Sequence, residues 1–213
     1  MNTKKKILMA LALVGCAILL VVGSVAATMA YLTSQTQTIT NTFTVGNVAI
    51  TMDESVTDLY GVVTSGKTTA GNAYKLIPGH TYTKDPTITV VANSEKCYLF
   101  VEVVNGLSAI EVAADATAAE GETETIAEQM ADNGWINLSG NIWYYENAVE
   151  TNAEDQTVSV FGTFTIAGTA DVSGYATTND ANDTNKITVT AYAVQADGFA
   201  NAQAAWTASG FGN

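Results

Sequence analysis

Pro86–Val104 reads PTITVVANSEKCYLFVEVV. Proline lacks an N–H, so Pro86 can open a strand but cannot sit inside one. Thr87–Ala92 follows, with Ile88 and Val90 on one face. Asn93–Lys96 is a turn, and Cys97–Val104 is a second strand. Cys97, Leu99, Val101 and Val103 share one side of it; Tyr98, Phe100 and Val104 share the other with Glu102. A strand apolar on both faces is a central strand covered on both sides, so this block places the core of a sheet protein.

Working outward, the same period of two recurs. Downstream, Leu107–Gly121 reads as an alanine- and acid-rich surface excursion. Glu124–Met130 fits two helical turns capped by Thr123 or Thr125 and stopped at Asn133-Gly134. Trp135–Leu138 and Ile142–Glu146 pair across Ser139-Gly140-Asn141 as a hairpin. In Thr157–Ile166, Val158, Val160, Phe164 and Ile166 alternate with polar positions. A long polar loop, Gly168–Lys186, leads to a last strand, Ile187–Gln195. Ala200–Ala208 reads as a closing helix docked by Phe199 and Trp206, with Gly210 as its cap.

Upstream, Val48–Met52 reads as a short strand ending at an acidic turn, Asp53-Glu54. Leu59–Val63 and Ala73–Ile77 flank Thr64–Asn72 as an exposed hairpin, and Pro78-Gly79 fits a type II turn. Together these give about nine or ten strands, two short helices and no βαβ rhythm. The expected fold is all-β, an antiparallel β-sandwich of jelly-roll type.

Ser34–Val45, SQTQTITNTFTV, is a further ribbon of period two. Thr36, Thr38, Thr40, Thr42 and Thr44 line one face, and the other grows apolar through Ile39, Phe43 and Val45. It carries no charge, proline or glycine, the devices that blunt a sheet edge. The next apolar positions, Val48, Ile50 and Met52, are even, so the phase slips at Gly46–Asn47 as at a β-bulge or a strand changing sheets. The ribbon is expected to close its own domain or to join a neighbour's sheet; alternation suits both.

Ahead of the ribbon, Lys4–Lys6 precede Ile7–Leu32, 26 residues without a charge. That run thins into small residues at Gly23–Ala30, as a signal peptide does. Cleavage is expected after Ala30, with Ala26 or Ala27 as alternatives. A leader kept as an anchor, or a lipobox at Leu13-Val14-Gly15-Cys16, are the other readings. The expected organisation is a signal peptide over 1–30, a donor-type strand segment over 31–47 and the sandwich over 48–213. Beyond the leader the chain has five lysines, no arginine and 21 carboxylates, net −16. Such a charge argues against nucleic acid, and against any membrane contact except through the leader. Only Cys97 remains after cleavage, so no intrachain disulfide forms and the core must hold the fold.

Candidate chemistry is sparse. His80 is the only histidine and lies in a turn, without the His-Glu-x-x-His of a zinc peptidase. Cys97 opens a strand and reads as a small buried hydrophobe. Asp171, Asp180, Asn182 and Asp183 supply oxygen ligands suited to Ca²⁺, at a spacing that misses the EF-hand, and read otherwise as a solvated loop. Trp143, Tyr144 and Tyr145, with Trp135, form an aromatic platform or cross-strand packing. Tyr144 and Tyr145 are adjacent, so one ring faces away from the core. No catalytic residue, cofactor or firm metal site is expected.

ATMAYLTSQTQTITNTFTVGNVAITMDE, after the lysine-led leader, resembles the exported TasA and camelysin-like proteins of Gram-positive bacteria, with their SipW-dependent type of signal peptide. The matching points are Thr28, Ala30, Thr42-Phe43, Gly46, Val48 and Ile50. Leu76–Val103 and Ile187–Trp206 are similar to two further blocks of that family. The resemblance implies a jelly roll, export through a dedicated signal peptidase, and biofilm-matrix fibres in which a freed N-terminal strand inserts into the next subunit. The expectation is a secreted structural protein whose partners are itself and other matrix or cell-wall components, with Ile39, Phe43 and Val45 as anchors. The alternatives are a monomeric surface module binding a glycan or calcium, and the metallo-endopeptidase that the camelysin label implies.

Overall fold

A computed structural model describes residues 4–5, 7–9, 11–18, 46–113, 124–175 and 185–211. The chain divides into two compact units, Met1–Thr44 and Val45–Asn213. In the first, the described residues are helical and exposed. Among the described residues, no helix is long and apolar enough to cross a membrane. The ribbon 34–45, with Ile39, Phe43 and Val45, lies outside the described residues.

The second unit is an antiparallel all-β sandwich of jelly-roll type with two short helices. One sheet is ordered β2 (Val63–Thr68), β1 (Ile50–Thr57), β4 (Thr87–Val90), β8 (Gln156–Ser159). The facing sheet is ordered β10 (Ile187–Gln195), β5 (Cys97–Asn105), β7 (Ile142–Tyr145), β6 (Trp135–Ser139). A small third pair joins β3 (Thr81–Thr83) to β9 (Thr163–Thr165).

The core forms between the sheets, where Ile88 and Val90 of β4 meet Leu99 and Val101 of β5, all fully buried. Each such side chain contributes about 1.5–3 kcal/mol by leaving water. The other face of β5 is covered too: Phe100 is buried beneath helix α2 (Ala202–Ser209), its ring 4.9 Å from that of Trp206. The double-sided pattern of Cys97–Val104 thus has its cause.

Helix α1 (Ile126–Asp132) starts at Thr125. The Thr125 hydroxyl accepts from the Glu128 N–H, and the Glu128 carboxylate accepts from the Thr125 N–H, a reciprocal capping box. Ile126 and Met130 are its buried residues. Helix α2 starts at Asn201 and ends at Gly210, where φ is 75°.

Four expectations need correction. First, the strand from Val48 does not end at Asp53-Glu54. It runs to Thr57, because Glu54 is buried against a lysine and needs no turn to reach water. Second, Leu59–Val63 and Ala73–Ile77 do not form a hairpin: a single backbone bond, Lys75 N–H to Leu59 O at 2.8 Å, links them, and the strand is Val63–Thr68, which pairs with β1. Asp58 Oδ1 accepts from the N–H groups of Tyr60 and Val62 and closes a tight turn there. Gly61 completes that turn at φ 74°, where an added Cβ would lie 2.7 Å from Tyr82 Cα.

Third, Thr157–Ile166 is two strands, with Phe161 fully buried between them. Thr81 opposite Thr165 and Thr87 opposite Ser159 nevertheless keep one register. The ladder is a single ribbon interrupted beside Pro86, which has no N–H to donate. Fourth, Leu107 and Ile110 are buried members of the core, not surface, while 114–123 lie outside the described residues.

Candidate functional site

Among the described residues, β10 is an edge strand of its sheet. The bonds flanking and crossing β5 fix which groups face outward from that edge. Val103 N–H donates to Asn141 O at 2.9 Å, and Cys97 N–H to Val149 O at 2.9 Å, so odd residues of β5 bond on the β7 side. Ala196 N–H donates to Lys96 O at 2.7 Å and Gly106 N–H to Lys186 O at 2.9 Å. Even residues of β10 therefore bond to β5. The odd residues Ile187, Val189, Ala191, Ala193 and Gln195 turn their N–H and C=O groups outward.

The same odd positions, 187 to 193, send their side chains inward, where they are only partly buried. Their partners across the ladder, Leu99, Val101 and Val103, are 0 to 6 % exposed. Ile50 and Met52 of β1, across the core, are likewise half-covered. Among the described residues, the backbone edge without a strand partner and the incompletely covered apolar row thus lie on the same positions.

Next to this edge lies a cavity of about 880 Å³ lined by Leu76, Tyr74, Phe164 and the start of β10. A smaller one of about 210 Å³ continues between Met52 of β1 and Val189. Lys84 borders both. It is 9 % exposed and its Nζ lies 2.7 Å from Glu54 Oε2, itself on a residue 5 % exposed. Such a pair is held because separating it would strand a buried charge, at about 3–5 kcal/mol.

The other oxygen, Glu54 Oε1, accepts from Asn72 Nδ2 at 2.8 Å. Asn72 Nδ2 also donates to Ser55 O at 2.8 Å, and Asn72 Oδ1 accepts from Thr57 N–H at 3.0 Å. Tyr74 stands beside them, its hydroxyl donating to Thr83 O at 2.8 Å; burial pushes its pKa up to about 12. Neighbouring Asp85 accepts from the Ser55 hydroxyl at 2.6 Å and the Ser55 N–H at 2.7 Å, with Lys67 at 3.5 Å. Nothing in the residue order singled out this polar cluster, since Glu54, Asn72 and Lys84 belong to three separate segments.

The residues singled out from sequence fall elsewhere. Trp143 and Tyr145 pack partly buried on the main core, and the Tyr145 ring lies 5.4 Å from that of the buried Trp135. Tyr144 faces the opposite side, as adjacency requires, and there it meets α2: Gln203 Nε2 donates to its hydroxyl at 3.0 Å. The three rings do not share one open face. Asp171 Oδ1 accepts from Ser173 N–H at 2.9 Å, which holds its carboxyl below the usual range. Asp180, Asn182 and Asp183 lie outside the described residues.

His80 follows the Pro78-Gly79 turn, closed by its N–H to Ile77 O at 3.2 Å, and its Nε2 meets Tyr60 O at 2.9 Å. Among the described residues, no group of three or more His, Cys, Asp or Glu side chains is placed to hold a metal ion. No family model, curated protein or solved structure matches this chain. The likeness to the TasA and camelysin-like proteins rests on the residues quoted for it.

Proposed function

We propose that the protein is a secreted structural subunit of the cell surface or biofilm matrix. In this reading, the ribbon 34–45 of one molecule adds as a strand to the β10 edge of the next. The observation that carries the reading is the coincidence, on Ile187, Val189, Ala191 and Ala193, of outward backbone groups and half-covered inward side chains. An added strand gains affinity from main-chain hydrogen bonds and specificity from alternate side chains in pockets. Twelve uncharged residues span the nine of β10, and Ile39, Phe43 and Val45 would lie over the apolar row.

Direction favours a neighbour's ribbon over the molecule's own. Glu95 N–H donates to Asn47 O at 2.9 Å and Val91 N–H to Ala49 O at 2.9 Å, which places the start of this unit at the end of the sandwich where β10 finishes. A segment reaching Gly46 from its own β10 edge would have to run parallel to β10. A neighbour's can run antiparallel, the slightly more stable pairing. Such a head-to-tail contact does not close on itself and so propagates as a filament. Processing by a signal peptidase belongs to the same proposal, because the ribbon becomes an end only once the leader is cut.

Deleting residues 31–42 tests this. The truncated protein is expected to be a folded, soluble monomer in electron microscopy and sedimentation. Fibres from the deleted form would end the proposal.

A further inference from the structure

Lys84, Glu54 and Asn72 form an arrangement that a simple ion pair does not need. A primary amine and a carboxamide contact the two oxygens of one carboxylate, at 2.7 and 2.8 Å. The orientation of the amide is fixed by its surroundings. Asn72 Nδ2 faces two acceptors, Glu54 Oε1 and Ser55 O, and Asn72 Oδ1 faces a donor, the Thr57 N–H. The nucleophile and the leaving group therefore flank a single proton carrier, while a backbone N–H sits on the oxygen where negative charge would develop. Both charged partners are nearly excluded from water.

We propose that Lys84 and Asn72 condense into an isopeptide bond, with Glu54 relaying the protons. One proton passes from Lys84 Nζ to Glu54 Oε2, leaving a neutral amine and a neutral acid, the state that a water-poor site favours. The flexible four-carbon stem of Lys84 lets Nζ close on Asn72 Cγ. Its lone pair forms the new N–C bond, and the carbonyl electrons move onto Oδ1 under the Thr57 N–H.

Glu54 then gives its proton to Asn72 Nδ2 and takes one from Nζ. As the carbonyl re-forms, the Cγ–Nδ2 bond breaks and ammonia leaves. The products are a secondary amide, a neutral Glu54 and one ammonia. Charge and hydrogens balance, and no oxidant, metal or external reagent takes part. The bond fastens the connection between β2 and β3 to the residue that follows β3, beside the two cavities that Lys84 borders, and it forms in the single molecule whether or not that molecule polymerises.

Intact-mass spectrometry of the purified, folded protein is the test, and it needs no variant. The expected mass is that of the sequence less one ammonia. Trypsin is expected to leave Lys84 uncut and to yield peptide 68–75 joined to peptide 76–96, with fragment ions placing the link at Asn72 and Lys84. Lys84→Arg keeps the positive charge without the amine nucleophile, and Glu54→Gln removes the relay; both are expected at full sequence mass. Wild-type protein at full mass, with trypsin cutting after Lys84, would overturn the proposal. So would a missing ammonia accompanied by free peptide 68–75, since the loss would then lie elsewhere.

Discussion

Two proline substitutions at neighbouring positions of β10 separate its bonded side from its open side. Thr190 lies opposite Glu102 and, by the alternation set out above, bonds to β5; Ala191 lies opposite Val101 and points its N–H outward. Thr190→Pro removes a ladder hydrogen bond, about 1 kcal/mol net, and leaves the Glu102 carbonyl unpartnered at about 1–3 kcal/mol. The expected loss is about 2–4 kcal/mol, a large part of a typical domain's stability. Ala191→Pro removes an N–H that no described residue accepts. Its entropic gain of about 0.4–1 kcal/mol, from a stiffer unfolded chain, offsets the adjustment of φ, so stability stays within about 1 kcal/mol of wild type. The ring also blocks an incoming strand where it would bond. Urea unfolding should show a lowered midpoint for Thr190→Pro only, and electron microscopy should show that Ala191→Pro is folded but forms no fibres. Wild-type fibres from Ala191→Pro would remove β10 as the acceptor edge, and equal stability of the two variants would contradict the bonding parity.

Cys97 is fully buried at the start of β5, and burial pushes its thiol up to about 11. Iodoacetamide at about pH 8 should spare Cys97 in the native protein and label it fully in denaturant, read by peptide mapping so that the exposed Cys16 is scored apart; rapid native labelling of Cys97 would show that this end of the core opens. At Asp85, burial by itself would raise the carboxyl pKa, but the Ser55 hydroxyl, the Ser55 N–H and Lys67 together hold it below its ordinary value. A folded-state pKa lower than the unfolded one means the unfolded chain binds more protons. The Asp85 contribution is therefore complete above the ordinary aspartate value, about 3.9, and is lost as pH falls through the lower folded value. Asp85→Asn should cost about 1–2 kcal/mol at neutral pH and flatten the acid limb of the stability curve. An unchanged acid limb would show that Asp85 does not contribute to it.

Much of the sandwich could be read from residue order because its signals are local. The two-sided apolar pattern of Cys97–Val104 marked a central strand, and β5 is covered by the facing sheet on one side and α2 on the other. Thr125, one of two candidate caps with Thr123, announced a helix start, Pro78-Gly79 a turn and Ile187–Gln195 a last strand, each within a few residues. These features depend on dihedral preference, capping and alternation, which neighbours along the chain decide. Pairing was less legible. The partner of Val63–Thr68 depended on how Asp58 and Gly61 close a turn, and the split of 157–166 depended on a proline some 75 residues upstream.

What only the tertiary structure decided is where groups distant in sequence meet. Alternation in Ile187–Gln195 told which side chains share a face, but not that, among the described residues, the strand ends a sheet with one row of backbone groups turned outward. Glu54 looked like part of a solvated acidic turn until Lys84, thirty residues away, was found 2.7 Å from it and Asn72 on its other oxygen. A buried charge is affordable only beside its partner, and that partner is supplied by the packing of sheets, which no local preference encodes.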